Sequence, residues 1–353
     1  MLYAKLEKGD SLYVFLHAEQ VYRDFIMCDK HLGYFSNNAL VYSSNNILGY
    51  SSNKLAENTI YDICNFIKND TTHSNVVIDC AEINDAHNIA GWIKDIISNC
   101  KKKGKRLTFC RMCETLYEKS KIHGQGLEER NNDDRTYNVF SASCDNNSII
   151  DDDIYDTYKQ IIADRINTSY IIERMGDDSY SHSGNVQLPR YINIKKFIEQ
   201  KELLFIGVYL LCKMAYSNGL IGPNKQPLLF FSSMAGSYLA SLLSKLACVD
   251  MVFLNHLGPK KKLYRELHKE QLVADRDYLI ISDVVCLGAE IERAKTLIEY
   301  AGGHLKGILS IVLVEVVSER PKIENEIEKI ALLTLTKDYN PIDYQIVTDF
   351  PKK

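Results

Sequence analysis

A run of apolar residues in the C-terminal half of the chain ends in a carboxylate. Residues 278–282 have the pattern of a buried strand, Asp283 follows, and a short loop with Gly288 leads into a helical pattern. A carboxylate at a strand end can accept hydrogen bonds from ribose hydroxyls, and a glycine-containing loop can hold a phosphate. These residues predict a sugar phosphate site, while an aspartate that only caps a turn explains them equally well.

A second junction of this kind lies about fifty residues upstream. Residues 228–232 predict a buried strand, residues 233–236 a turn rich in small side chains, and Ser237 the opening of a helix. Small residues let backbone amides approach a phosphate or pyrophosphate closely. A tight packing turn between strand and helix accounts for the same residues, so this junction alone leaves both interpretations open.

The elements around these junctions alternate between strand and helix. Such alternation predicts a mainly parallel sheet that is covered by helices on both faces, and thus an α/β fold. In sheets of this class ligands bind where strands end and helices begin, which is where both junctions lie. The predicted strands are 228–232, 251–254, 278–282 and 305–317, and the predicted helices are 203–215, 237–247 and 289–301.

The N-terminal part predicts a smaller α/β domain. Residues 76–81 read as a strand between amphipathic stretches, and Gly104 ends a helix before a second strand at 106–110. The stretch 124–153 is dominated by Gly, Asn, Asp, Glu and Ser, which is typical of a linker. The predicted divisions are a domain at 1–123, a polar linker at 124–153 and a second domain at 154–353.

Composition limits the classes of function. The 353 residues carry 42 Lys and Arg against 46 Asp and Glu, so no global positive field favours binding of nucleic acid or of an anionic membrane. A positively charged patch on part of the surface remains an alternative. The longest strongly apolar stretch, 203–212, is too short to span a bilayer, and the N-terminus lacks the apolar run of a secretory signal. We expect a cytoplasmic protein with reduced thiols. Cys110 and Cys113 lack a second pair, so no metal site is predicted from cysteine spacing.

Taken in order, the two junctions resemble those of type I phosphoribosyltransferases, and most closely the orotate phosphoribosyltransferase branch. Ser183-Gly184, Tyr191 and the helix at 205–214 resemble the hood that covers the base, and residues 233–236 resemble the pyrophosphate loop. Residues 280–288 resemble the signature that binds phosphoribosyl pyrophosphate. The resemblance spans about a third of the chain and implies the type I phosphoribosyltransferase fold for the C-terminal domain.

The resemblance also implies roles for individual residues. Asp283 would hold the ribose, and Lys260, Lys261 and Lys262 would stabilise the departing pyrophosphate, with Mg²⁺ bridging its oxygens. A lysine run beside Gly-Pro is also typical of a plain solvated loop. The implied substrate-binding residues are Tyr191, Ser233, Met234, Ala235, Gly236, Ser237, Ser282, Cys286, Leu287, Gly288, Ala289 and Glu290.

The sequence departs from the family pattern at the sugar phosphate motif. Ser282 stands where the family has the first of two adjacent acidic residues, and residues 286–290 replace a Thr-Thr-Gly-Gly-Thr/Ser run. Glu290 stands where a hydroxyl would meet the 5′-phosphate. A carboxylate about 4 Å from one unit of phosphate charge costs about 4 kcal/mol at an effective dielectric near 20, or roughly three decades in affinity. Ordinary 5′-phosphate binding is therefore expected to be poor unless Glu290 turns outward or a cation intervenes.

The first domain resembles a STAS domain over about 55–122, on the strands at 76–81 and 106–110 and the helix at 89–99. The loop 84–88, where that family often carries a phosphorylatable serine, has no hydroxyl residue. A surface that docks a protein partner is therefore expected here instead of a phosphorylation switch.

Two functions are consistent with these patterns. The first is glycosyl transfer at ribose C1, by a divergent phosphoribosyltransferase-like enzyme that binds a nucleotide or phosphoribosyl pyrophosphate with Mg²⁺. The second is a catalytically degenerate nucleotide-sensing effector or adaptor that works through protein partners, in a setting such as bacterial stress or antiviral phage defence. The family resemblance implies a homodimer in either case.

Overall fold

The structure is a computed structural model of the 353-residue chain. It describes residues 3–17, 54–55, 57–83, 85–86, 88–122, 127–131, 136–141, 154–166, 171–173, 180–182, 186–188, 190–222, 224–254, 272–285, 288–316, 327–339 and 346–348. The chain divides into two compact units, Met1–Ile161 and Ile162–Lys353. Within the described residues, no helix combines the length and apolarity needed to cross a bilayer.

Unit 1 contains a six-stranded mixed sheet in the order β1-β2-β4-β6-β8-β7. Strands β2, β4 and β6 are parallel to one another, and β1, β8 and β7 are each antiparallel to their neighbours. The strands are β1 Tyr3–Lys8, β2 Ser11–His17, β3 Lys54–Leu55, β4 Asn75–Glu82, β5 Asp85–Ala86, β6 Arg106–Cys113, β7 Leu127–Asn131 and β8 Thr136–Ser141. The helices are α1 Glu57–Asn69, α2 Ile89–Lys102, α3 Glu114–Ser120 and α4 Ile154–Arg165, the last of which continues into unit 2.

Local sequence explains the main elements of unit 1. The hairpin β1-β2 pairs Lys8 with Ser11 across a two-residue turn in which Gly9 adopts φ +57°, a conformation that glycine tolerates at no steric cost. In α2, the residues at helical spacing from Trp92 to Cys100 are buried in the core beneath the sheet. Gly104, at φ +63°, follows that helix as the sequence predicts.

The interval 124–153 contains two strands. Strands β7 and β8 fall within it and complete one side of the unit 1 sheet, with Val139 fully buried. The boundary between the two compact units lies at Ile161, later than the predicted boundary.

A buried ion pair joins β4, β6 and α4 within unit 1. The fully buried Asp79 carboxylate accepts hydrogen bonds from Arg111 Nε at 3.1 Å, from Arg111 Nη2, and from the Tyr158 hydroxyl at 2.9 Å. The Ala81 amide also donates to Asp79 Oδ1, at 3.1 Å. Arg111 lies over the Tyr155 ring, 4.0 Å from its centroid. Every polar partner of this buried carboxylate is thus supplied by unit 1 itself.

Unit 2 contains a second six-stranded sheet in the order β14-β13-β15-β16-β17-β18. Its first five members are parallel and β18 is antiparallel to β17, which confirms the predicted α/β class with a mainly parallel sheet. The strands of unit 2 are β9 Ile171–Glu173, β10 Tyr180–His182, β11 Val186–Leu188, β12 Arg190–Ile192, β13 Leu228–Phe231, β14 Met251–Phe253, β15 Asp277–Val285, β16 His304–Val316, β17 Glu328–Tyr339 and β18 Ile346–Thr348. The helices are α5 Ile194–Glu199, α6 Lys201–Ser217, α7 Met234–Ala247 and α8 Ala289–Tyr300.

The helices cover the sheet of unit 2 in two groups. Helix α6, buried on nearly all sides from Leu203 to Cys212, packs on β16 and β17 and against α7. Helix α7 connects β13 to β14, and α8 connects β15 to β16 in the opposite lateral direction. Because parallel crossovers are right-handed, this change of direction places α7 and α8 on opposite faces of the sheet.

Candidate ligand-binding site at the switch point of unit 2

The strand order of unit 2 contains one reversal of direction. Numbered along the chain, the parallel strands β13 to β17 follow the order 2-1-3-4-5, so the connections diverge between β13 and β15. In open α/β sheets ligands bind in the crevice outside the carboxyl ends of the strands at such a point. Here that crevice lies between the start of α7 and the start of α8, which are the two junctions that the sequence singles out.

The start of α7 is capped by Ser233. Its hydroxyl accepts a hydrogen bond from the Gly236 amide at 2.9 Å, and its carbonyl accepts the first intrahelical bond, from the Ser237 amide at 3.0 Å. The Ser237 hydroxyl donates to the Met234 carbonyl at 2.6 Å. The amides at the first two helical positions, Met234 and Ala235, precede these bonds and are the donors that a helix start can offer to an anion.

Gly236 is buried at this junction. A Cβ at this position would lie 3.1 Å from the Ile281 carbonyl oxygen of β15 and 3.0 Å from Ser233 Oγ. The missing side chain therefore allows α7 to pack closely against β15. The Gly236 amide is already hydrogen-bonded to Ser233, so the role of Gly236 is to let α7 pack on β15. The amides that could approach a phosphate closely, as the sequence predicts for this turn, are those of Met234 and Ala235.

The carboxyl end of β15 carries the predicted ribose-binding carboxylate. Ser282 is buried and its hydroxyl donates to the Val284 carbonyl at 3.3 Å. Asp283 follows it and is half-buried. Each oxygen of such a carboxylate can accept more than one hydrogen bond.

The start of α8 is formed by Gly288 and Ala289. Gly288 adopts φ +76° as the N-terminal cap, and a Cβ built on it would contact nothing within 4 Å, so backbone conformation is what requires glycine here. Its carbonyl accepts a hydrogen bond from the Glu292 amide at 2.9 Å. Cys286 and Leu287 lie outside the described residues.

A side-chain contact joins the two junctions. The Ser232 hydroxyl, directly after β13, donates a hydrogen bond to the Glu290 carboxylate in the first turn of α8, across 58 positions of sequence. Glu290 therefore does not turn away from the crevice. Ser232 is not among the substrate-binding residues predicted from the sequence. Its position beside Ser233 at the end of a predicted strand is the sequence feature that could have indicated it.

The remaining predicted residues are only partly placed. Tyr191 lies in β12, where its backbone pairs with Ile172 of β9. Lys260, Lys261 and Lys262 lie outside the described residues, as does the predicted Ser183-Gly184 segment. The described part of the site thus consists of the α7 start, the β15 end and the α8 start.

Cys110 and Cys113, the close cysteine pair of unit 1, are both half-buried. Burial raises the pKa of the Cys110 thiol well above its usual range and also raises the pKa of Cys113. A raised thiol pKa disfavours the thiolate that nucleophilic attack and metal binding need. Across the described ranges, no group of three or more His, Cys, Asp or Glu residues is arranged to hold a metal ion.

Comparisons with known proteins give low-level similarity only. No family model matches the chain, and no curated protein matches it in sequence. Among solved structures, adenine phosphoribosyltransferase from Rhodothermus marinus is 17% identical at a TM-score of 0.38, covering 51% of this chain and 99% of that one. Orotate phosphoribosyltransferase from Mycobacterium tuberculosis is 11% identical at a TM-score of 0.37, and the match covers 50% of this chain and 96% of that one. Adenine phosphoribosyltransferase from Thermoanaerobacter pseudethanolicus is 16% identical at a TM-score of 0.34, and the match covers 41% of this chain and 88% of that one. Scores at this level do not assign an activity.

Proposed function

We propose that unit 2 binds a nucleotide or phosphoribosyl pyrophosphate in the crevice at its switch point. The observation that carries this proposal is the meeting of two strand-to-helix junctions at the reversal of strand order, linked by Ser232 and Glu290. The phosphoryl groups would bind the amides of Met234 and Ala235. Asp283 would accept hydrogen bonds from the ribose hydroxyls.

In its catalytic form the proposed reaction is glycosyl transfer at ribose C1. The bond between C1 and a pyrophosphate oxygen breaks, and the pyrophosphate leaves with the electron pair. A nitrogen of the base then forms the new bond to C1 and gives up its proton to solvent. The amides of Met234 and Ala235 would stabilise the charge on the leaving group, and Asp283 would hold the ribose as positive charge develops at C1. Lys260, Lys261 and Lys262 remain predicted contributors to the same leaving group.

The donor set at the β15 end fits Mg²⁺. This cation is commonly held by one or two carboxylates together with substrate phosphates, and Asp283 supplies such a carboxylate. Asp283 and the pyrophosphate oxygens would therefore hold it. When bound, Mg²⁺ would offset negative charge on the pyrophosphate.

The second candidate is a nucleotide sensor that works through partners. It is favoured by Glu290, which places a carboxylate in the crevice, and by the presence of unit 1 as a separate compact unit available for docking. Such an adaptor would suit a stress or phage-defence role, and a homodimer is expected for both candidates. Sedimentation of the full chain measures the oligomeric state directly.

Calorimetry on the full chain tests the proposed binding site. Phosphoribosyl pyrophosphate and uridine and adenosine 5′-diphosphates are titrated with Mg²⁺ into the wild type, Asp283→Asn and Asp277→Asn. Asp277 lies at the opposite end of β15, is half exposed and faces Lys306 at 3.4 Å, so it is a matched control. We expect saturable binding of at least one ligand.

Asp283→Asn should weaken that binding about tenfold to a hundredfold, as loss of hydrogen bonds to a charged group implies. Asp277→Asn should leave it unchanged. Release of pyrophosphate or a free base from the bound ligand would identify the enzyme, and binding without turnover would identify the sensor. Absence of saturable binding for every ligand, or equal loss in the two variants, would overturn the proposed site.

A further inference from the structure

The contact between Ser232 and Glu290 fixes a negative charge at the switch point. Ser232 follows β13 and Glu290 lies in the first turn of α8, so the hydrogen bond between them crosses from one junction to the other. Glu290 is an exposed residue that a surface helix would normally leave pointing into solvent. Its carboxylate is instead held beside the end of β13 by the donated hydroxyl.

The two helix starts at the crevice consequently differ in charge. The first turn of α7 contains no acidic residue, whereas the first turn of α8 contains Glu290 and Glu292. A helix start carries about half a positive charge, which a full carboxylate in the same turn more than cancels. Anionic groups are therefore favoured at α7 and disfavoured at α8.

A carboxylate in this place still suits a neutral ligand group. Its oxygens accept hydrogen bonds, so a sugar hydroxyl can replace the Ser232 hydroxyl or bind beside it. A phosphate cannot do so without bringing its own negative charge against Glu290. The α8 side of the crevice is thus matched to hydroxyl groups, and the α7 side to phosphoryl groups.

We infer that Glu290, positioned by Ser232, selects ligands that carry phosphoryl groups at one end of the ribose only, as nucleoside diphosphates do, and excludes phosphoribosyl pyrophosphate, which carries them at both ends. This inference rests on the proposed function and chooses between its two ligand classes. For one unit of phosphate charge about 4 to 7 Å from the carboxylate, Coulomb repulsion at an effective dielectric near 20 lowers affinity by roughly fifty- to a thousandfold.

Calorimetric titration of the full chain separates these ligands. Uridine and adenosine 5′-diphosphates and phosphoribosyl pyrophosphate, each with Mg²⁺, are titrated into the wild type, Glu290→Gln and Glu292→Gln. Glu292→Gln removes the same charge from the same helical turn, whereas the Ser232 hydroxyl donates its hydrogen bond to Glu290, so Glu292→Gln controls for the overall field. Both side chains are exposed, so neither substitution threatens folding.

We expect the wild type to bind a nucleoside diphosphate more tightly than phosphoribosyl pyrophosphate. Glu290→Gln should raise affinity for phosphoribosyl pyrophosphate at least about tenfold. Glu292→Gln should raise it by less than about threefold, since Glu292 is exposed to solvent and residues two positions apart on a helix do not share a face. Ser232→Ala, which frees the carboxylate to move outward, should give an intermediate gain.

The outcomes distinguish this inference from the proposed function. If phosphoribosyl pyrophosphate binds the wild type as tightly as the diphosphates, or if Glu290→Gln and Glu292→Gln change its affinity equally, the selective role of Glu290 is refuted while the site stands. If no ligand binds the wild type or Glu290→Gln, the proposed function is refuted and the inference falls with it.

Discussion

The buried ion pair of unit 1 gives a sharp test of the fold. Asp79→Ala removes a carboxylate that is fully buried and leaves Arg111, whose side chain is 17% exposed, without its main partner. Removing one member of a buried pair costs about 3–5 kcal/mol, because the other charge stays desolvated. The Tyr158 hydroxyl and the Ala81 amide lose an acceptor at the same time.

Urea unfolding measures this loss. The single tryptophan, Trp92, is buried in the unit 1 core, so its fluorescence reports the unfolding of that unit. With a denaturant slope of about 2 kcal/mol per molar urea, a loss of about 3–5 kcal/mol lowers the midpoint by about 1.5–2.5 M. Asp156→Ala is the control, because Asp156 is 70% exposed and its pair with Lys159 at 3.3 Å should contribute less than about 1 kcal/mol.

A second substitution separates charge burial from packing. Adding Arg111→Met to Asp79→Ala removes the stranded guanidinium but leaves the cavity, so it should recover part of the lost stability. A midpoint shift for Asp79→Ala no larger than that for Asp156→Ala would refute the argument. No recovery in the double variant would show that lost packing, and not the unpaired charge, accounts for the effect.

Two further stability effects follow from single residues. Burial raises the pKa of Asp70, but hydrogen bonds from Lys105, Thr72 and His73 outweigh it and hold the pKa well below its usual range. A carboxyl group whose pKa is depressed in the folded state stabilises the fold at pH values above its unfolded-state pKa, and this stabilisation is lost as the pH falls. Asp70→Asn should therefore lower the free energy of unfolding, measured with urea, by about 1.5–3 kcal/mol at pH 7, and the difference from the wild type should become smaller below about pH 4. A difference between wild type and variant that stays constant from about pH 7 to below about pH 4 would contradict this prediction. Cys248, the residue that follows α7, adopts φ +53°, a left-handed conformation that glycine tolerates better than other residues. Cys248→Gly should therefore stabilise the protein by about 0.5–1 kcal/mol and raise its Tm by about 1–4 °C, whereas Cys248→Ala should give no such gain.

Much of the unit 2 fold follows from hydrophobic periodicity. Strands β13, β15 and β16 and helices α6, α7 and α8 lie where the hydrophobic pattern predicts them. The strands and α6 bury continuous apolar runs, whereas α8 buries one face through Ile291, Ala294 and Ile298. Strand β17 was not predicted. Its centre, residues 330–335, is an apolar run that places Ile330 and Leu332 in the core, and charged residues stand near both of its ends.

The candidate site was predictable only in part, for a physical reason. The sequence identifies Asp283 and the two junctions, because a strand that ends in a polar residue before a helix is a local pattern. The contact between Ser232 and Glu290 is tertiary and spans 58 positions, so no local pattern encodes it. It depends on β13 and β15 being neighbours, which only the strand order supplies.

Under the proposed function, this contact distinguishes two interpretations of residues 286–290, loss of ligand binding or a change of ligand. Holding the half-buried Ser232 and the exposed Glu290 in one hydrogen bond costs conformational entropy and adds little stability at a surface. The capping of α7 by Ser233 and the close approach of Gly236 to β15 are both present on the other side of the crevice. Under the proposed function, a crevice with one helix start intact and the other occupied by a positioned carboxylate favours a different ligand over a general loss of binding. The order of affinities for ribose ligands phosphorylated at one end and at both ends decides between these explanations, since decay predicts weak binding of both.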